Sequence, residues 1–349
     1  MRVFETIAWD EDENAVTLID QTCLPAKYRL VRCRSVDRLI SAIQRLEVRG
    51  APALGVAGAF GVALASKTVR EKEHARFMSA LRAEAARIRT ARPTAINLSW
   101  GVDTVMHAVE DAHSISEARH HAYDTAHMVA EADARACHDL GGHGATLMKE
   151  KVSVLTHCNA GALACSEWGT ALGVVRSAIE AGKEVAVFAC ETRPLLQGAR
   201  LTAWELQRDG IPVTVIPDSA AAFLMKQGSI DMVIVGADRV CHDAVFNKIG
   251  TYMHAVCARH HAIPFYVAAP LSTFDPVRSA KDVMIEERGR DEIAMCGKTI
   301  TVPEGVAVKN YAFDATPHDL VTAFITETGV FPTPLDWKKI GNAKKMWSQ

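Results

Sequence analysis

An α/β fold in two parts, a mainly helical N-terminal region followed by a region with a largely parallel sheet, is predicted by three observations. Apolar residues recur at helical spacing from Val36 to about Ala130. From Val152 onward, short β-rich runs alternate with helical patterns of about ten to twenty residues. Those runs are nearly unbroken in Val, Ile and Ala, as strands buried on both faces are. A length of 349 residues fits two domains, or one large α/β domain with an appendage; two are expected, at 1–125 and 126–349.

In chain order, "AVTLIDQT" reads as a short β leader, and "VDRLISAIQRL", "HARFMSALRAEAARI" and "TVMHAVEDAHSI" read as amphipathic helices. The strands of the second part are "VSVLTH", "EVAVFAC", "VTVIPD", "MVIVGAD" and "PFYVAAP". Gly141–Gly142 and the polar stretch from Pro276 to Asp282 are the best loop candidates.

Composition bounds the function. With 49% hydrophobic and 23% charged residues, the chain is an ordinary globular protein with a core to bury. Its net charge, 39 minus 41 or -2, gives no electrostatic footprint for nucleic acid or an anionic membrane. The start "MRVFETIAWDEDENAV" is acidic where a signal peptide is apolar, and no apolar run reaches the roughly 18 residues of a membrane span, so a cytoplasmic protein is expected. The nine cysteines form no CxxC pair and read as reduced thiols. No HExxH is present, and the doublets His120-His121 and His260-His261 cannot face one way from a helix, so no metal is expected. Neither GxGxxG nor a P-loop occurs, which leaves a dinucleotide or nucleotide cofactor without support.

Ligands of an open parallel sheet bind beyond the carboxyl ends of its strands, and the residues there are polar. "VSVLT" is followed by His157, Cys158 and Asn159, "VAVFA" by Cys190, Glu191, Thr192 and Arg193, "VTVIP" by Asp218, and "MVIVGA" by Asp238 and Arg239. Cys158, at a strand end and expected just before a helix, is placed to be a reactive thiol; equally, it is a small residue in a tight turn. Asp238 reads as an acid or as a helix cap or ion-pair partner of Arg239. As a pair, a base and an acid at adjacent strand ends are what an aldose–ketose isomerisation needs, provided the apolar setting of Asp238 keeps it protonated.

Anion-binding candidates form a second set. "RGAPALG" places Arg49 beside Gly50 and Ala51, where side-chain and backbone donors can meet a phosphate. Gln197 and the pair Asn247 and Lys248 stand before expected helix starts, and Arg92 is a cation in a turn.

Ordered blocks along nearly the whole chain resemble the methylthioribose-1-phosphate isomerase family, which belongs with the regulatory subunits of the initiation-factor guanine-exchange complex. They include "VRGAPALGVAGAFGVALA", "ARPTAINLSWGVD", "LTHCNAGALA", "ETRPLLQGARLTAWEL", "MKQGSIDMVIVGADRV", "NKIGTY", "IPFYVAAPLSTFD" and "FDATPHDLV". The resemblance implies a helical N-terminal domain, a Rossmann-like C-terminal domain, a homodimer, and conversion of an aldose 1-phosphate to the ketose 1-phosphate in methionine salvage without a cofactor. It implies Cys158 as the catalytic cysteine and Asp238 as the proton donor. Phosphate and sugar contacts fall on Arg49, Gly50, Ala51, Arg92, Gln197, Asn247 and Lys248. Asp238 then protonates the ring oxygen, and Cys158 accepts the carbon 2 proton in an enediol route or stabilises charge in a hydride shift. "DRVCHDAVFNKIG" and "FDPVRSAKDVMIEER" each look one residue and one glycine short of the family pattern. Rival substrates are 5-deoxyribose 1-phosphate and ribose 1,5-bisphosphate, and a rival of another class is a non-catalytic sugar-phosphate-sensing subunit.

Overall fold

The computed structural model describes residues 4–92 and 95–347. The chain forms two compact units: one holds the residues up to Asp139 with Ala160–Gly173, the other holds Leu140–Asn159 with the chain from Val174 onward.

In the first unit, β1 (Ile7–Asp10), β2 (Ala15–Ile19) and β3 (Leu30–Cys33) form an antiparallel sheet. Only the middle strand stood out in the sequence, because the outer two are four residues each. Helices follow: α1 (Val36–Gln44), α2 (Ala51–Thr68), α3 (His74–Arg89), α4 (Ile96–Val109) and α5 (Ile115–Ala145), whose last turns belong to the second unit. Ser35 caps α1, its side chain accepting the Arg38 N–H. In α2, Pro52 through Ser66 are all buried, so this helix is apolar all round and fills the core. It crosses α4 at near backbone contact: a Cβ on Gly101 would stand 2.0 Å from the Gly55 carbonyl oxygen, and one on Gly58 2.5 Å from that of Leu98.

The second unit is built on a seven-stranded sheet. Its strands are β4 (Lys151–Thr156), β5 (Glu184–Cys190), β6 (Val213–Ile216), β7 (Met232–Val235), β10 (Phe265–Ala268), β14 (Ala323–Thr326) and β15 (Gly329–Pro332), in the order β15-β14-β10-β7-β4-β5-β6. All neighbours pair parallel except β14 and β15. Leu155, Val233, Val235, Phe265, Val267 and Phe324 are buried in its core, as their unbroken apolar runs predict. The connecting helices are α6 (Ala171–Glu180), which begins in the first unit, then α7 (Ala203–Arg208), α8 (Ala221–Lys226) and α9 (Thr251–His260). A three-stranded antiparallel sheet of β8 (Arg239–Val240), β9 (Ala244–Lys248) and β13 (Phe313–Pro317) stands beside it in the chain. The pair β11 (Met295–Cys296) and β12 (Thr299–Ile300), after the short α10 (Asp291–Ala294), and α11 (Trp337–Trp347) complete the unit.

Two loop expectations separate here. Pro276–Asp282 is irregular apart from a single 3₁₀ turn at Ala280–Asp282. Gly141 and Gly142, in contrast, lie inside α5. Glycine costs a helix only about 1 kcal/mol, and nearby Gly144 lets the helix approach α6, since a Cβ there would meet Val174 at 2.4 Å.

Candidate active site

The chain leaves β4 outward through β5 and β6, then returns to place β7 on the other side of β4. The order reverses between β4 and β7, the switch point at which open parallel sheets open a crevice beyond their carboxyl ends. Cys158 follows β4 and Asp238 follows β7, so the structure puts the two catalytic candidates after the two strands that flank this point.

Cys158 is not at a helix N-terminus. After β4 comes a three-residue 3₁₀ turn at Ala162–Ala164, and α6 starts only at Ala171. The residue is instead held in a left-handed conformation, φ 65°, which costs a residue with a Cβ roughly 1–3 kcal/mol. Its N–H donates to Thr192 Oγ1 (2.8 Å), and its carbonyl accepts the Thr202 hydroxyl (2.7 Å). The flanking residues are tied down as well. Asn159 Nδ2 donates to Thr202 Oγ1 (3.3 Å) and to Glu205 Oε1 (2.9 Å). Glu205 in turn binds the buried Arg176, which also binds Asp209. On the other side, His157 Nε2 donates to the Ile249 carbonyl (2.8 Å) and its Nδ1 faces His254 Nε2 at 3.1 Å. Burial holds both imidazoles neutral, pushing His157 down to about 4 and His254 to about 3.

Asp218 ends β6 as a clamp: its carboxylate accepts the N–H groups of Thr192 and Arg193, each at 2.8 Å. Gln197 opens a π-helical turn, Gly198–Thr202, that runs into α7. There a Cβ on Gly198 would fall 1.7 Å from the Cys190 carbonyl oxygen. Asp238 is half-buried, and its N–H donates to Phe246 O (2.9 Å), linking it to β9. No helix follows it, which removes the cap reading, and Arg239 forms its ion pair with Asp275 (3.8 Å).

Asn247 and Lys248 are the last residues of β9, not a helix start; α9 begins at Thr251. Sequence periodicity missed this strand: its neighbour β8 has only two residues, and its other partner β13 lies more than sixty residues away in the chain. Both side chains are buried: Asn247 Nδ2 donates to Thr251 Oγ1 (3.0 Å), and Lys248 Nζ lies 4.9 Å from the centre of the Phe313 ring. Across the register from Asn247 stands Asp314, whose carboxyl burial raises to about 6 while the Gly250 and Tyr252 N–H groups donate to it. The segments "DRVCHDAVFNKIG" and "FDPVRSAKDVMIEER" meet here, through His242 N–H to Arg278 O (2.9 Å) and Ala280 N–H to Asp243 Oδ1 (2.7 Å).

Arg49, Gly50, Ala51 and Arg92 lie in the first unit. Gly50 is the N-cap of α2 with φ 99°, and no side chain caps this helix start. A Cβ on Gly50 would stand 2.5 Å from the Ala164 Cα, so only glycine fits. Ala51 and Pro52 are the first helical residues, with Arg49 half-buried beside them. Helix starts of this form present backbone donors to anions. Arg92 is half-buried in the turn after α3; its neighbours Pro93 and Thr94 lie outside the described residues.

Two groups of potential metal ligands come together among the described residues, His157 with Cys190 and His254, and Asp133 with Cys137 and Cys165. The first set gathers three separate elements; in the second, Asp133 and Cys137 stand four apart on α5 and Cys165 comes from the turn at Ala162–Ala164. The facing nitrogens of the histidine pair are already hydrogen-bonded to each other, and Ser166 donates its N–H and hydroxyl to Asp133.

A parallel-sheet unit with a cysteine and an aspartate after the strands that flank its switch point, preceded by a mainly helical unit, is an architecture of small-molecule enzymes of the α/β class. Residues 47–333 match the Initiation factor 2 subunit family (IF-2B), and the chain belongs to that family. It is 49% identical over 334 residues to the methylthioribose-1-phosphate isomerase of Heliobacterium modesticaldum, covering 95% of this chain and 96% of the relative. The crystal structure of 5-methylthioribose 1-phosphate isomerase from Pyrococcus horikoshii superimposes with a TM-score of 0.90 at 40% identity, covering 97% of this chain and 96% of that one. A crystal structure from A. fulgidus described as translation initiation factor eIF-2B, subunit delta, superimposes with a TM-score of 0.87 at 50% identity, covering 98% and 99%.

Proposed function

We propose that the protein is a methylthioribose-1-phosphate isomerase, an aldose–ketose isomerase of methionine salvage that converts 5-methylthioribose 1-phosphate to 5-methylthioribulose 1-phosphate. The observation that carries this reading is the placement of Cys158 and Asp238 after β4 and β7, in a chain that matches isomerases over 95% of its length.

The chemistry follows from the substrate. A phosphate on the anomeric oxygen keeps the furanose closed, so ring opening and loss of the carbon 2 proton belong together. The Cys158 thiolate takes that proton, the carbon 1–carbon 2 double bond forms, and the bond from carbon 1 to the ring oxygen breaks as Asp238 protonates that oxygen. The thiol then returns its proton to carbon 1, and the enol hydroxyl gives its proton to the Asp238 carboxylate, leaving the ketose and both groups as they began. Among the phosphate and sugar contacts, Arg49 and the backbone donors of Gly50 and Ala51 suit a phosphate. Arg92, Gln197, Asn247 and Lys248 complete the assignment, Asn247 and Lys248 being buried polar groups two and one residues from the turn that His157 holds. The protein acts as a homodimer in the cytoplasm; no described helix is long and apolar enough to cross a membrane.

The test is turnover of 5-methylthioribose 1-phosphate, 5-deoxyribose 1-phosphate and ribose 1,5-bisphosphate by the purified protein, with ketose formation as the readout and light scattering for the oligomer. Preference for the first substrate in kcat/KM is expected. The A. fulgidus structure described as an initiation-factor subunit favours one second reading, a sugar-phosphate-sensing subunit. Binding of all three sugars with no turnover would establish that reading instead.

A further inference from the structure

We propose that Thr192 is a positioning residue for Cys158, its hydroxyl fixing the backbone from which the thiol is presented. The inference rests on the isomerase reading, in which that thiol exchanges a proton with substrate. Cys158 has a left-handed φ of 65°, a conformation that persists in a non-glycine residue only when its surroundings over-determine it. Thr192 supplies the upstream constraint, accepting the Cys158 N–H at 2.8 Å while its own hydroxyl proton goes to the Cys190 carbonyl at 2.9 Å. Both functions of the hydroxyl are thereby used, and its orientation is set.

Thr192 is itself firmly held. It is fully buried, it too has a left-handed φ (67°), and its N–H donates to Asp218. One threonine thus connects the ends of β4, β5 and β6. Downstream, the π-helical turn brings the Thr202 hydroxyl to the Cys158 carbonyl. The two threonines hold the N–H and the carbonyl of the same residue, so the Cα–Cβ direction of Cys158 is defined from both sides. Valine at 192 would keep the shape and remove the acceptor; serine would keep the hydroxyl.

Thr192→Val and Thr192→Ser in the full chain test this, with kcat and KM for 5-methylthioribose 1-phosphate, binding of the product ketose by calorimetry, and melting temperature. A displaced thiol base lowers kcat by about 10- to 100-fold in the valine variant, with KM and ligand affinity within about threefold of the parent. The serine variant should return kcat to within about threefold of the parent. If the valine variant does not fold, Thr202→Val is read in the same way. The proposal is overturned if valine leaves kcat within about twofold of the parent, if serine loses as much as valine, or if the whole effect falls on KM. Absence of turnover by the unaltered protein would remove the isomerase reading itself, which separates the two failures.

Discussion

The two units solve the same problem, fixing backbone in place, by opposite means. Around α2 the first unit removes side chains: Gly58 and Gly101 bring two helices together until there is no room for a Cβ. Beyond β4, β5 and β6 the second unit adds polar side chains, with Thr192, Thr202, Asn159 and Asp218 each answering a backbone or side-chain partner across the strand ends. Close apolar packing gives stability without direction, whereas hydrogen bonds aim individual atoms. The unit with the aimed atoms is the one that carries Cys158 and Asp238.

The sharpest way to break this contrast is at the two catalytic candidates. Cys158→Ala and Asp238→Asn should each lower kcat by about 10²- to 10⁴-fold, the range for lost proton transfer, with little change in melting temperature. A comparable loss of stability would put both residues in the scaffold. Next comes Arg176→Met, which leaves Glu205 and Asp209 buried without their cation and should cost about 3–5 kcal/mol in urea unfolding, along with the anchorage of Asn159. Gly101→Ala should cost about 1–3 kcal/mol by overpacking, while activity per folded molecule holds. Loss of activity at full stability would show that the helix crossing also directs chemistry.

The smallest effect is a difference in pH response, read as opening free energies by hydrogen exchange. In the second unit the neutral His157–His254 pair has depressed values, so its contribution is whole above about 6.5 and is lost as pH falls through about 4. Asp314 works the other way and offsets part of this, its raised value making its contribution whole below about 3.8 and lost as pH rises through about 6. In the first unit Asp133, raised to about 6 chiefly by burial, is likewise most favourable in acid. Acidification from pH 6.5 to 4 should therefore weaken the strand-end region relative to the α5 region around Asp133. Equal responses would mean that these buried groups do not control local stability.

Much of this was legible because it is local. Runs such as "VSVLT" and "MVIV" announce buried parallel strands, and the polar residues just after them mark the ligand-binding end. Cys158 and Asp238 were singled out as candidates that way. What stayed hidden depends on partners distant in the chain. β9 pairs with β13 as well as with the two-residue β8, the left-handed turn at Cys158 is held by a threonine thirty-four residues on, and each ligand cluster draws on at least two elements. Gly141 and Gly142 misled for the converse reason: local cost argued for a loop, yet the pair continues α5, where a glycine costs only about 1 kcal/mol.

The strand order has a consequence for how the chain is made. β4 emerges first and sits in the middle; β5 joins it, β6 joins β5, and then β7, β10, β14 and β15 add in turn on the other side. Every strand leaving the ribosome meets an edge already formed, and none has to wedge between two paired neighbours. The last, β15, reverses direction and pairs antiparallel with β14. Growth by vectorial synthesis thus runs outward from the strand that leads to Cys158.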